Sequence, residues 1–270
     1  MNNYYQYFGM SRIPFDIDID TSALARTEQF DEMYTRLSYI ADTQQMAILT
    51  AEPGCGKSTL LRTLRQNLEG HDYHFIYISD SSLSPRWLYN KMLEQLGVNK
   101  SYYYRGDGKK AVHEQIGILH SIKKKKIVCC IDEAHLLSPD TIQEIRFLLN
   151  CEMNSWSPMA LILSGQSELK GFLQRDCWSA VRQRIKMVCT LDPLERPQTE
   201  SYIKTHLAFA GSDSTDLFSK EAIDAIQNYS NGIPRNINNV CQHSLLKAAA
   251  NKVDIVNGAL VENVIATELL

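Results

Sequence analysis

The run Ala51-Glu-Pro-Gly-Cys-Gly-Lys-Ser58 constrains this chain more than any other stretch. It lies between an apolar strand pattern at Met46–Thr50 and a helical pattern over Ser58–Leu68, with leucines at 60, 61, 64 and 68. A strand, a glycine turn and a helix opened by Lys-Ser is the context in which a phosphate-binding loop has physical meaning. Gly54 and Gly56 let the backbone curl until successive N–H groups face one point. The new helix adds its positive N-terminal end. The expected nucleotide cradle is Glu52, Pro53, Gly54, Cys55, Gly56, Lys57, Ser58 and Thr59, with Lys57 on the β- and γ-phosphates and Ser58 on Mg²⁺. The full pattern G-x-x-x-x-G-K-[ST] begins with Gly, and this chain has Ala51 there, a position that closes the turn rather than touching phosphate. Cys55, inside the loop, is a candidate reactive thiol.

The second element is Ile127-Val-Cys-Cys-Ile-Asp-Glu133, an apolar strand that delivers two acids at its C-terminal end. Ligands of open α/β sheets bind at that end. Asp132 is expected to hold Mg²⁺ and Glu133 to act as general base on the attacking water. The implied cofactors are ATP and Mg²⁺. Taken alone, two acids after a strand are often a solvated turn; the phosphate loop upstream gives them weight.

Further strands read at His74–Ser79, Met159–Ser164 and Lys186–Leu191, and helices at Pro85–Leu96, Lys109–Ile122 and from Ser138-Pro139 to about Cys151. Alternating strands and helices imply a mainly parallel sheet covered on both faces. After Asp192-Pro-Leu-Glu-Arg-Pro197 only helical periodicity remains: Gln198–Ala210, Ser219–Tyr229, Pro234–Asn251 and Asp254–Leu270. The expected organisation is an N-terminal segment over 1–44 packed on the ATPase core, an α/β nucleotide-binding domain over 45–194, and a helical lid over 195–270.

At 270 residues, 44% hydrophobic and 22% charged, the chain suits one α/β domain with a smaller one attached. No stretch reaches the roughly 18 apolar residues of a membrane span, and the start has no signal-peptide order, so the cytoplasm is the expected compartment. Seven scattered cysteines do not make a disulfide framework or a clustered zinc site. A net charge of −3 excludes a uniformly basic surface, so nucleic-acid binding needs a local patch. Two are candidates: Lys123–Lys126, and Arg105 with Lys109-Lys110 and Tyr102–Tyr104.

Asp132-Glu-Ala-His135, Leu161-Ile-Leu-Ser-Gly-Gln-Ser-Glu-Leu169, Val181-Arg-Gln-Arg-Ile185, Leu191-Asp-Pro-Leu194, Ser230-Asn-Gly-Ile-Pro-Arg-Asn-Ile-Asn238 and the opening Tyr5–Phe15 occur in an order that resembles ExeA-type AAA+ ATPases. The resemblance implies a P-loop AAA+ fold: a parallel five-stranded sheet sandwiched by helices, plus the all-helical lid. It also implies ATP hydrolysis with Gln166 as the sensor that orients the water (Ser164 the weaker candidate), an arginine finger at Arg182 or Arg184 acting on a neighbouring subunit's nucleotide, and Arg235 as second sensor. The short form resembles the ATPase and target-selection subunits of DDE transposition systems. Expected partners are therefore other copies of the chain in a ring or filament, double-stranded DNA and a DDE transposase, and not a membrane. The competing readings are a secretion or envelope-assembly ATPase of ExeA kind, or a low-turnover nucleotide-dependent DNA-binding switch.

Overall fold

The computed structural model describes residues 4–16, 25–68, 72–80, 82–149 and 157–269. Along them run α1 (Tyr4–Tyr7), α2 (Glu28–Thr43), β1 (Met46–Ala51), α3 (Lys57–Leu68), β2 (Tyr73–Ile78), α4 (Pro85–Gln95), α5 (Arg105–Ser121), β3 (Lys126–Ile131), α6 (Pro139–Leu148), β4 (Ala160–Gly165), α7 (Glu168–Leu173), α8 (Ser179–Arg182), β5 (Ile185–Leu191), α9 (Arg196–Phe209), α10 (Lys220–Ser230), α11 (Pro234–Ala250) and α12 (Gly258–Glu268). They divide into two compact units. One comprises residues 29–53 and 57–191; the other comprises 1–28, 54–56 and 192–270.

In the first unit every apolar run becomes a strand, and all pair in parallel in the order β2-β3-β4-β1-β5. The strands β1 and β4 are buried at every residue, which is why they read as continuous apolar runs rather than alternating ones. Side chains still alternate between faces. Met46, Ile48, Ile127, Cys129, Ile131, Leu161 and Leu163 share one core cluster with Leu88, Met92, Ile116 and Ile145 of α4, α5 and α6. Cys129 belongs to this cluster and Cys130 does not, as expected of neighbours on a strand. Burying one such aliphatic side chain stabilises by about 1.5–3 kcal/mol.

The strand order places the chemistry. β4 pairs with β1 on one side and β3 on the other, with Leu49 opposite Ser164 and Ile131 opposite Leu163. The segments that leave β1 and β3 therefore emerge one strand apart at the same edge of the sheet. At the helix that follows β3, Pro139 occupies the first turn and the Ser138 hydroxyl accepts the Thr141 N–H at 3.2 Å, the cap that Ser-Pro announces.

The second unit is helical. Ile203, Leu207, Ile223, Ile226, Ile237, Val240, Leu245 and Val261 form its core. Its helices begin at strong signals. The Glu195 and Gln198 side chains make a capping box on α9, and the Asn257 side chain accepts from Leu260 N–H at α12. Gly232 is required before α11: its φ is +74°, and a Cβ there would lie 2.0 Å from the Leu194 carbonyl oxygen.

Three expectations need correction. The described part of 1–44 divides between the two units instead of forming one segment. Phe8, Met10 and Phe15 lie in the core of the helical unit, because their rings and thioether complete its apolar packing, and Ser11 N–H donates to Ala210 O at 2.9 Å. Within that span α2 is a full helix of the α/β unit, burying Met33, Leu37, Ile40 and Ala41 at helical spacing. Helix α5 starts at Arg105, one turn before Lys109, because Asn90 pairs with both Tyr102 N–H and Tyr102 O and fixes the chain into it. The last helix starts at Gly258 rather than Asp254, since Val256 is used in a bridge to Phe218. The expected helix end at Cys151 lies outside the described residues.

Candidate functional site

Six-residue β1 ends at Ala51, and the chain turns through Gly54 at φ +92° and Gly56 at φ +95° before α3 begins at Lys57. Both angles strain any side chain but glycine's. Lys57 is only 7% exposed, yet its ammonium is satisfied: it donates to Ala51 O at 2.7 Å and to Glu52 O at 3.3 Å. A buried ammonium is costly without such partners. Ser58 is exposed at the helix start, Thr59 is half-buried and Cys55 is buried. The Glu52 carboxylate accepts from the Ser167 hydroxyl at 2.6 Å, tying the loop to the turn after β4.

Asp132 lies immediately beyond β3 and is 6% exposed. Its Oδ1 accepts from Ser164 Oγ at 2.7 Å and from Glu133 N–H at 3.0 Å; its Oδ2 accepts from Tyr77 OH at 2.6 Å. Three donors compensate the burial of the carboxylate. Burial, then the hydrogen bond to Asp132, raises the Tyr77 phenol above its ordinary value, so it stays a proton donor. Glu133 follows in the left-handed region at φ +49°, a conformation that non-glycine residues adopt at a cost. Its carboxylate is 42% exposed and stands 3.5 Å from His135 Nδ1. The Gln166 N–H donates to the same ring nitrogen at 3.4 Å. Gly165 permits this closeness, since a Cβ there would be 3.2 Å from His135 N.

The sheet therefore brings together the Lys57 loop, the Asp132–Glu133 pair, Ser164 and the Gln166 turn. Other expected residues have different surroundings. Arg182 is engaged at the end of α7, donating to Gln174 O at 2.6 Å and to Leu173 O and Arg175 O at 3.4 Å. Arg184 is half-buried just before β5. Arg235 opens α11 in the helical unit, where its N–H donates to Gly54 O at 3.3 Å. Sequence reasoning missed the contribution of Tyr77, of His135 and of the Glu52–Ser167 tie. No local cue singled out Tyr77, since β2 also carries Tyr73 and His74.

The donors fit a magnesium nucleotide. Gly54 and Gly56 both take positive φ in the loop, and no atom lies within 4 Å of a Cβ built at Gly56. A hydroxyl at Ser58 and a carboxylate at Asp132 are hard oxygen ligands of the kind Mg²⁺ takes. A parallel five-stranded sheet flanked by helices, with a helical second unit, is the P-loop AAA+ fold.

Comparison with known proteins narrows it. Residues 40–173 match the family model described as AAA domain. General secretion pathway protein A of Aeromonas hydrophila is 30% identical over 251 residues, covering 92% of this chain and 45% of that protein. The resemblance to an ExeA-type AAA+ ATPase is thus shown, while the chain spans less than half the length of that relative. Among solved structures, Cdc6p from Pyrobaculum aerophilum aligns with a TM-score of 0.65 at 16% identity, covering 93% of this chain and 67% of that one. A structure of Drosophila ORC bound to DNA aligns at 0.62 and 17% identity, over 99% and 65%. These likenesses show the fold.

Proposed function

We propose that this chain binds ATP with magnesium, hydrolyses it, assembles on duplex DNA as a homo-oligomer, and recruits or activates a DDE transposase. The observation that carries the nucleotide part is that the satisfied Lys57 loop and the clamped Asp132 leave β1 and β3, the two strands that flank β4, at the same edge of the sheet. Residues Glu52 to Thr59 cradle the phosphates, with Lys57 leaving its loop carbonyls for the β- and γ-phosphates. Ser58 and Asp132 hold Mg²⁺, which when bound neutralises charge on the phosphate oxygens. Glu133 takes the proton of the attacking water, and Gln166 orients that water. Arg235 acts as second sensor. Arg182, which donates to carbonyls at the end of α7, or Arg184 is the finger offered to a neighbouring subunit.

DNA contact is supported by one face of the α/β unit. The Arg86 guanidinium lies 4.8 Å from the Trp87 ring centroid and 5.2 Å from that of Tyr103, which is 75% exposed. Lys109 and Arg146 flank the exposed Phe147 ring at 4.8 and 4.5 Å. Lys109 and Arg105 also pair with buried Glu144, so part of this charge is neutralised. The Lys123–Lys126 run is weaker support, because Lys126 is paired with Asp42. Cations on one face suit phosphate contacts, which a polymer can sum along a duplex.

Sedimentation with duplex DNA, with and without ATP and at two salt concentrations, tests the reading. ATP-dependent pelleting that weakens with salt is the expected result; pelleting indifferent to nucleotide, or none, contradicts it. The match to General secretion pathway protein A favours a second reading, an ATPase acting in secretion or envelope assembly. In that case hydrolysis persists and DNA changes nothing.

A further inference from the structure

We propose that Tyr77, a residue of β2 outside the phosphate-loop and acid motifs, is a positioning residue that fixes the Asp132 carboxylate for magnesium. The inference rests on the nucleotide reading above and adds to it a residue and a task.

An ionised carboxylate offers about four lone-pair sites. On Oδ1 two are taken, by Ser164 Oγ at 2.7 Å and Glu133 N–H at 3.0 Å. On Oδ2 one is taken among the described residues, by Tyr77 OH at 2.6 Å. The remaining pair on Oδ2 is therefore the one left for a cation or its water, and Tyr77 shares that oxygen. With donors on both oxygens the carboxylate plane cannot turn about its last torsion without breaking a charge-assisted hydrogen bond.

The fold makes this contact from a distance of 55 residues in the chain. β2 is the strand next to β3, with Tyr77 opposite Cys130 and Ile78 opposite Ile131. Asp132 N–H continues the ladder by donating to Ile78 O at 2.8 Å. Tyr77 is thus set two positions before the acid on the adjacent strand, and its ring is long enough to bring the hydroxyl forward to the carboxylate. Ser164 reaches the same carboxylate from β4, on the opposite side of β3. The metal-holding acid is gripped from both neighbouring strands.

Groups that hold a metal-binding carboxylate in place typically account for about 10- to 100-fold in metal affinity. The test is binding of a fluorescent ATP analogue to the purified chain across a magnesium titration, and again in EDTA. Tyr77→Phe keeps the ring and loses the hydroxyl. It should move the magnesium midpoint upward by about 10- to 100-fold, leave the EDTA affinity at the wild-type value, and be partly restored by Mn²⁺, which nitrogen and oxygen sites bind more tightly. Ser164→Ala should shift the same midpoint, and it serves alone if Tyr77→Phe does not fold. A folded Tyr77→Phe with an unchanged magnesium midpoint overturns the proposal. So does equal weakening with and without metal, which would mark Tyr77 as packing only. If wild-type binding itself ignores magnesium, the nucleotide reading fails first, and the wild-type curve shows that separately.

Discussion

Buried polar side chains at the candidate site and at two positions of the helical unit, His206 and Ser244, are treated in opposite ways. Around the candidate site each is answered: Lys57 by two loop carbonyls, Asp132 by three donors, Ser164 by Asp132. In the helical unit, His206 is 2% exposed and neither ring nitrogen has a hydrogen-bond partner among the described residues; Ser244 Oγ also has none there. His206 instead stacks on Phe15 at 5.3 Å and 8° and packs on Tyr202. The difference teaches that the first set is arranged for charge and the second for shape. A histidine used only as a flat ring is a burden when it protonates, whereas the Asp132 carboxylate is fixed in place by its donors.

The comparison can be broken at several points. Glu133→Gln should have the largest effect, lowering steady-state turnover by about 10²- to 10⁴-fold while nucleotide binding is retained and any assembly persists longer. Normal phosphate release by that variant refutes the general-base assignment. For His206, burial lowers the folded-state pKa to about 4 from the ordinary 6.5. The unfolded chain then takes up a proton that the folded chain refuses, so stability is fully present above pH 6.5 and falls as pH drops toward 4. The loss is on the order of 3 kcal/mol at most. His206→Phe should flatten that part of the stability curve in denaturant titrations at pH 7 and pH 4.5; an unchanged slope would mean the ring is not buried neutral.

The smallest effect separates the two arginines. Arg182→Ala removes the donor at the end of α7 and should cost about 1 kcal/mol of stability, and the finger is whichever of Arg182→Ala and Arg184→Ala lowers turnover beyond its loss of stability. Mixing each with Glu133→Gln protein then asks which one serves a neighbour. If neither variant loses turnover, the finger assignment fails.

Much of the α/β unit was legible because its strands are short apolar runs cut by glycine and acids, and each cut is also a piece of chemistry. The Ser-Pro and Gly-Ile-Pro-Arg helix starts announced themselves for the same reason. What stayed hidden depends on who stands beside whom. Helix α2 carries Met33, Leu37, Ile40 and Ala41 in register, but mixed aromatic and charged neighbours blur its period. The N-terminal Phe8 and Phe15 read as core residues without revealing which core. Tyr77 looks like any strand tyrosine until β2 is laid beside β3. Arg182 and Arg184, two residues apart, look alike in sequence, and the carbonyls that Arg182 meets at the end of α7 cannot be read from their spacing. None of these pairings is written in local spacing.

The central claim is that the glycine loop and the twin acids hold one magnesium nucleotide. Calorimetric titration of ATP into wild-type and Lys57→Ala protein, with magnesium present, addresses it directly. The account predicts saturable binding by the wild type and a loss of about 10- to 100-fold in affinity when the ammonium is removed. Equal affinity in the two proteins, or a wild type that takes up no heat, contradicts it.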